Sequence, residues 1–346
     1  MQTIRTTKIL ILLFFIFSLL SCTNLSENEN KFSYFSEQFA DLKILRYQIP
    51  GFDELSFDQK KLVYYLSQAG LAGRDIMYDQ NYRHNLKIRK ALENIYSNYN
   101  GNKSSDEWKK FEIYLKRIWF SNGIHHHYSN DKFKPGFSAN YLKELLSETN
   151  TNLENESFEV IFNNKDIKKV NLDASKGLVK GSAVNFYGTD ITEADVDDFY
   201  SKIKVPNSKK PISLGLNSKL VRENGKIVEK IWKLGGMYSK EIKNIMYWLT
   251  KAKKVAENEK QKHAFELLIK YYETGDLEVW DDYNVAWVET TEGDVDYING
   301  FIEVYNDPKG YRGSYESVVQ IKDFEMSNKM TALSENAQWF EDNSSI

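Results

Sequence analysis

Apolar positions along this chain change their period twice. An unbroken run from Ile9 to Leu20, interrupted only by Ser18, opens it behind Arg5 and Lys8. From Lys31 the spacing becomes helical. Leu62, Leu66, Ala69, Gly70, Gly73 and Met77 follow Ser56-Phe-Asp-Gln59, which has the form of a capping box. Gly70, Ala72 and Gly73 predict close approach to another element. Leu86, Ile88, Leu92, Ile95 and Tyr96 mark a second helix, and Phe111, Leu115, Ile118 and Trp119 a third that starts at Ser105 and ends at Gly123. From Asn152 the character shifts. Glu159–Phe162, Val170–Leu172 and Ala183–Tyr187 read as short strands, and Thr192 opens a short helix. Leu214–Val221 and Lys226–Leu234 flank Glu223-Asn-Gly225, a hairpin signal. Helices are predicted over 240–257 and 260–272, strands at Asn284–Val288 and Gly300–Tyr305, and a helical piece from Met326 to Phe340. No internal repeat recurs at a fixed period. The pattern predicts an α+β protein in which helices flank a small β-barrel. It divides into a helical part over 31–150 and a mixed part over 151–346.

The first apolar run is short for a bilayer span and has the shape of a signal peptide. Cys22 closes it and is the single cysteine, so no internal disulfide can form. A small residue before that cysteine resembles a bacterial lipobox. It predicts a leader over 1–22, lipidation of Cys22, a polar tether over 23–30, a membrane partner and a place in the bacterial cell envelope. The alternative is a plain secretory signal with an incidental cysteine. The net charge of -3 over 346 residues, with no basic stripe interleaved with stacking aromatics, argues against a nucleic-acid partner. Aromatics reach 14% with 22 Tyr, which suits a peptide- or sugar-binding surface.

Candidate chemistry gathers in two segments. His125, His126 and His127 are adjacent, so their side chains diverge on a helix and alternate on a strand. A polar loop lining a cleft is the expected reading, ahead of a metal site completed by Asp131. His84 and His263 are expected at the surface. In the second segment, Phe301, Glu303 and Tyr305 are predicted to share one face of a strand. Asp307-Pro308 and Gly310 turn the chain, and Arg312 either fixes that turn or pairs with Glu303.

These two segments, Trp119–Pro135 and Asp296–Gly313, resemble the dipeptidyl-peptidase III family, zinc exopeptidases that release dipeptides from peptide N-termini. Gln48–Phe52, Leu71–Asp75, Asp79–Asn81 and Asn336–Glu341 also look like its bacterial members. The resemblance implies a lower lobe with a β-barrel and helices, facing an upper helical lobe that holds zinc. It places an amine-sensing carboxylate on Asp296, a substrate-contacting tyrosine on Tyr297 or at Ile298, and cleft-lining residues at Asn122, Tyr128 and Asn130. A carboxylate can sense a free N-terminus by a charge-assisted hydrogen bond. Asp296, Asn299 and Glu303 supply such polar groups within one stretch, and exposed strand backbone can hold an extended peptide. The family cuts with a His-Glu-x-x-x-His helix, and no such motif occurs up to Ile346. The expectation is therefore an N-terminal, peptide-holding half with no catalytic residue of its own. Zinc belongs to the full-length family and is not expected to bind this chain; an oligopeptide is the expected partner. The alternative is a non-catalytic, lipid-anchored peptide-binding protein.

Overall fold

The structure is a computed structural model that describes residues 32–163, 165, 167–204 and 209–345. Cys22, the leader and the tether lie outside the described residues. The described residues fall into two compact units, divided between Ile49 and Pro50. In the first, β1 (Phe35–Phe39) pairs antiparallel with β2 (Leu42–Leu45) around a turn with Ala40 at φ 47°. This corrects the helical reading that begins at Lys31. Phe35, Glu37, Phe39 and Leu42, Ile44 alternate with other residues, and period two cannot be read as period 3.6 over so short a span.

The second unit begins with α1 (Phe57–Ala72), closed by the predicted capping box: the Ser56 N–H donates to Gln59 Oε1 at 2.8 Å. Next come α2 (Arg74–Asn81), α3 (Asn85–Asn98), α4 (Asp106–Ser121), α5 (Ala139–Glu148) and α6 (Asn155–Phe162). The expected strand at 159–162 is the end of α6, because Ser157, Phe158 and Ile161 are buried at helical spacing. The helix α7 (Glu193–Ser201) starts at Thr192 as predicted. The strands β3 (Ser218–Glu223) and β4 (Lys226–Ile231) form the expected hairpin. Asn224 and Gly225 turn it with φ of 51° and 78°, the conformation a two-residue loop demands. Then follow α8 (Ser239–Lys253), α9 (Glu259–Thr274) and α10 (Leu277–Val288), and the expected strand at 284–288 is the last turn of α10. Asp276 caps that helix, and Val279, Trp280, Tyr283 and Ala286 are its buried side, so tertiary burial overrides the β-propensity of Val285-Ala-Trp-Val288. The strands β5 (Val295–Glu303) and β6 (Ser314–Ile321) pair antiparallel, and α11 (Phe324–Glu335) and α12 (Ala337–Asn343) close the chain. No closed barrel forms among the described residues, where the strands pair as three two-stranded sheets. Segment 170–172 forms no strand, and 183–187 contributes only the isolated bridge of Tyr187 with Leu220.

Two apolar cores hold this unit. One gathers α3 to α6 around Ile88, Leu92, Phe111, Leu115 and Leu142. The other surrounds β5 and β6 with α1, α8, α9 and α10, and includes Leu62, Ile245, Phe265, Trp232 and Phe301. Each large side chain so buried contributes about 1.5–3 kcal/mol. The predicted close approach is real: a Cβ on Gly73 would lie 2.1 Å from the Tyr315 ring, and one on Gly70 would lie 2.6 Å from Ser317 Oγ.

The turn between β5 and β6 carries a buried polar lock. Arg312 is fully buried and donates to the hydroxyls of Tyr187 at 3.0 Å and Tyr200 at 2.6 Å. The Asp307 carboxylate accepts the N–H groups of Lys309, Tyr311 and Arg312 and the Tyr187 hydroxyl, all within 3.0 Å. Arg312 therefore fixes the turn and does not pair with Glu303. Burial raises both phenols, with Arg312 opposing it.

Candidate functional site

The site is built on β5 by the alternation of its side chains. Val295, Tyr297, Asn299 and Phe301 point into the core and are buried. Asp296 and Ile298 point the other way, beside their β6 partners Gln320 and Val318. A register shift between Phe301 and Glu303 then breaks the alternation. It separates Phe301, fully buried, from the exposed Glu303 and Tyr305 and corrects the reading that put all three on one face.

Helix α10 runs along this strand. A Cβ on Gly300 would meet the Trp280 ring at 2.6 Å, so glycine there gives the ring its room against the strand. One heptad further on, Trp287 Nε1 donates to Asp296 Oδ1 at 3.1 Å. The Tyr297 N–H donates to the same oxygen at 2.7 Å. Both bonds orient the carboxylate, while Oδ2 makes no hydrogen bond among the described residues. Asp296 is exposed and lines a cavity of about 430 Å³, together with Trp287, Thr290, Asp294, Gln320 and Lys322. A fixed anionic oxygen at a cavity wall can accept hydrogen bonds from an ammonium group.

The other candidates fall elsewhere. Asn299 is buried and its amide is fully engaged: Oδ1 accepts from the Tyr272 hydroxyl at 2.6 Å, and Nδ2 donates to the Tyr315 hydroxyl at 3.0 Å and Ser317 Oγ at 3.2 Å. Tyr297 stacks on Phe265 in the core, with ring centroids 4.6 Å apart, while Ile298 shares the side of Asp296. Glu303 stands seven residues from Asp296, about 23 Å at strand rise. It lies beside Glu316, whose carboxyl is raised above its ordinary range by partial burial and by the Glu303 charge.

Asn122, Tyr128 and Asn130 belong to a separate loop. Asn122 ends α4 at φ 52°, and its carbonyl accepts from Asn81 Nδ2 at 3.0 Å. Asn130 adopts φ 62°, and Tyr128 is 83% exposed with its ring on His127. Among the described residues, no hydrogen bond, ion pair or ring contact joins these three to β5. The histidines beside them serve the loop. His125 Nε2 meets the Ile167 carbonyl at 2.9 Å, and His126 Nδ1 accepts the N–H groups of Tyr128 and Ser129, both at 3.1 Å. An Nδ1 that accepts two backbone protons is unprotonated, which fixes the tautomer. Asp131 bonds to Lys168, which with Ser129 holds its carboxyl below the usual range. His263 is exposed as expected. His84 is not: it is buried, with Nδ1 3.0 Å from Ser157 Oγ, and burial lowers its pKa. The lysines and arginine around it in sequence disguise a position that α6 covers.

Trp287, Gln320 and Glu316 were not found from the sequence. Trp280, Tyr283 and Trp287 stand at helical spacing that runs into the region read as strand, 284–288, and that was the available signal.

The profile of peptidase family M49 matches residues 141–342. A Dictyostelium discoideum protein named dipeptidyl peptidase 3 is 24% identical over 266 residues, which are 68% of this chain and 36% of its own length. A Nematostella vectensis protein of the same name is 32% identical over 103 residues, 30% of this chain and 14% of its own. The solved structure of DPP III from Caldithrix abyssi matches 84% of this chain and 44% of its own, with a TM-score of 0.57 at 19% identity. That of dipeptidyl-peptidase III from Corallococcus sp. strain EGB matches 86% and 44%, with a TM-score of 0.57 at 16% identity. These likenesses carry the fold, and the chain spans less than half the length of each of these relatives. Members of this family depend on zinc, yet no three His, Cys, Asp or Glu side chains among the described residues group to hold a metal ion. With the family profile covering more than half of the chain, this protein belongs to peptidase family M49, the dipeptidyl-peptidase III family.

Proposed function

We propose that this chain supplies the peptide-gripping part of a dipeptidyl-peptidase III, an exopeptidase that removes N-terminal dipeptides from oligopeptides. One observation carries the reading. Asp296 holds one oxygen on Trp287 and Tyr297 and leaves the other open, at the wall of a cavity of about 430 Å³. The open oxygen receives the substrate's terminal ammonium, and the cavity takes the first side chain. Ile298 and Val318 on the same side give an extended peptide an apolar floor. Glu303 and Glu316, further along, favour cationic side chains. Asn299 acts from behind, by holding β5 in register. Lipidation at Cys22, anchorage in the bacterial cell envelope and reliance on zinc-bearing residues beyond those described are parts of the same proposal.

Calorimetric titration with a tetrapeptide and its N-acetylated form tests it. Asp296→Ala should weaken the free-amine peptide by about 1.5–3 kcal/mol, the worth of a hydrogen bond to a charged group, and leave the acetylated peptide unchanged. Equal losses for both would remove Asp296 from amine sensing. The second reading, peptide capture without cleavage, is tested on the same protein. Chelator-sensitive dipeptide release by the homogeneous chain would overturn it.

A further inference from the structure

Helices α1 and α8 pack side by side and present a face rich in aromatics and lysine. Phe57, Tyr64 and Leu71 stand seven residues apart on α1, and seven residues return nearly to the same bearing on a helix. They are 74%, 52% and 60% exposed, so they form an apolar stripe open to solvent. On α8 and its C-cap, Lys240, Lys243, Tyr247, Lys251 and Lys254 recur three or four residues apart and share one face. The stripes meet where the Tyr64 ring packs edge-on against Trp248 at 5.8 Å. There Lys251 Nζ lies 4.6 Å from the Tyr247 ring centroid and 4.9 Å from that of Trp248.

Charge on this face runs against that of the molecule. The chain carries a net -3, whereas α8 carries four lysines against Glu241 alone. Lys240, Lys243 and Lys254 make no ion pair among the described residues. Of the other neighbouring acids, Asp58 is paired with Lys61, and the Glu257 carboxylate accepts the N–H groups of Asp294 and Val295.

We infer that this face lies on an anionic lipid bilayer. Phe57, Tyr64, Leu71 and Tyr247 enter the headgroup region, and the α8 lysines meet lipid phosphates. Tyr and Trp favour that boundary because one end of each is apolar and the other wet. Lysine stems lie along apolar surface while their ammonium groups reach outward. Neither helix carries an arginine, the side chain best suited to stacking on and forking to nucleic acid. A two-fold contact with a second copy would set the lysine stripe against itself. The inference does not depend on Cys22 or the leader.

The test is co-flotation of the full chain with phosphatidylcholine vesicles, with and without phosphatidylglycerol, at low and high salt. The leader contributes equally to every variant. Phosphatidylglycerol should raise the bound fraction of the natural protein, and salt should reverse that gain. Lys240→Glu with Lys243→Glu should cut the phosphatidylglycerol-dependent partition by roughly thirtyfold or more, from about 1 kcal/mol per lysine at such a surface. Phe57→Ser with Leu71→Ser should lower binding to both vesicle types, with an unchanged circular dichroism spectrum. A lysine variant that keeps the full gain, or a gain insensitive to salt, would overturn the inference. So would a dimer in sedimentation that the lysine variant abolishes, since a second copy would then cover the face.

Discussion

Asp296 and Asn299 stand three residues apart on one strand, and their side chains do opposite things. Asn299 faces the core, where Tyr272, Tyr315 and Ser317 take up its amide. Asp296 faces away and keeps one carboxylate oxygen open beside a cavity. Residue type does not separate them, since both are short polar side chains suited to holding a peptide. Parity does: an odd offset along a strand moves a side chain to the other face. The inner side of β5 is therefore the scaffold, and the outer side is the part that can meet a ligand. The same contrast holds at the turn, where Asp307 and Arg312 are consumed by the fold while Glu303, a few residues away, stays exposed.

Substitutions on the two sides should differ in kind. The largest effect is expected at the lock. Asp307→Ala leaves the Tyr187 hydroxyl and several backbone N–H groups buried without an acceptor. It should cost about 3 kcal/mol or more in urea unfolding, with broken packing around Arg312. Asn299→Leu should follow at about 2–3 kcal/mol, since it strands the buried Tyr272 hydroxyl and takes a partner from the Tyr315 hydroxyl and from Ser317. Little change in the midpoint for Asn299→Leu, together with lost peptide affinity, would make Asn299 a ligand contact and dissolve the comparison. Asp296→Asn should move stability by no more than about 0.5 kcal/mol, as exposed substitutions do, while weakening free-amine tetrapeptides by roughly tenfold or more. The smallest effect belongs to Glu316. Its folded-state carboxyl is raised above the ordinary 4.5 by partial burial and Glu303, so the native state binds its proton more tightly than the unfolded chain. That contribution is present at low pH and is lost as pH rises through the raised value. Glu316→Gln should therefore be more stable than the natural protein at neutral pH, by less than about 1 kcal/mol. The gap should close below the ordinary carboxyl range, as read from thermal midpoints across pH.

Much of the fold was legible where local signals were strong. The capping box at Ser56, the Asn224-Gly225 hairpin and the helix starts at Ser105 and Thr192 all follow from short-range chemistry, while the small residues at Gly70 and Gly73 signalled a close approach without naming its partner. The errors share a cause. At 159–162 and 284–288 a few β-branched and aromatic residues outweighed a longer helical period. At 35–45 the alternating stretch was too short to stand out. His84 was misplaced because charged neighbours in sequence say nothing about the helix that packs over it.

What the amino-acid order determined by itself was the family, through its two long motifs, and the local elements, whose caps and turns depend on residues within four positions of one another. Only the tertiary structure decided which polar residues are free to act. Whether a carboxylate or amide ends in a cavity or in a hydrogen-bonded core depends on strand parity, on one register shift and on partners such as Trp287, Tyr187 and Tyr272, contacts that close only when distant segments pack.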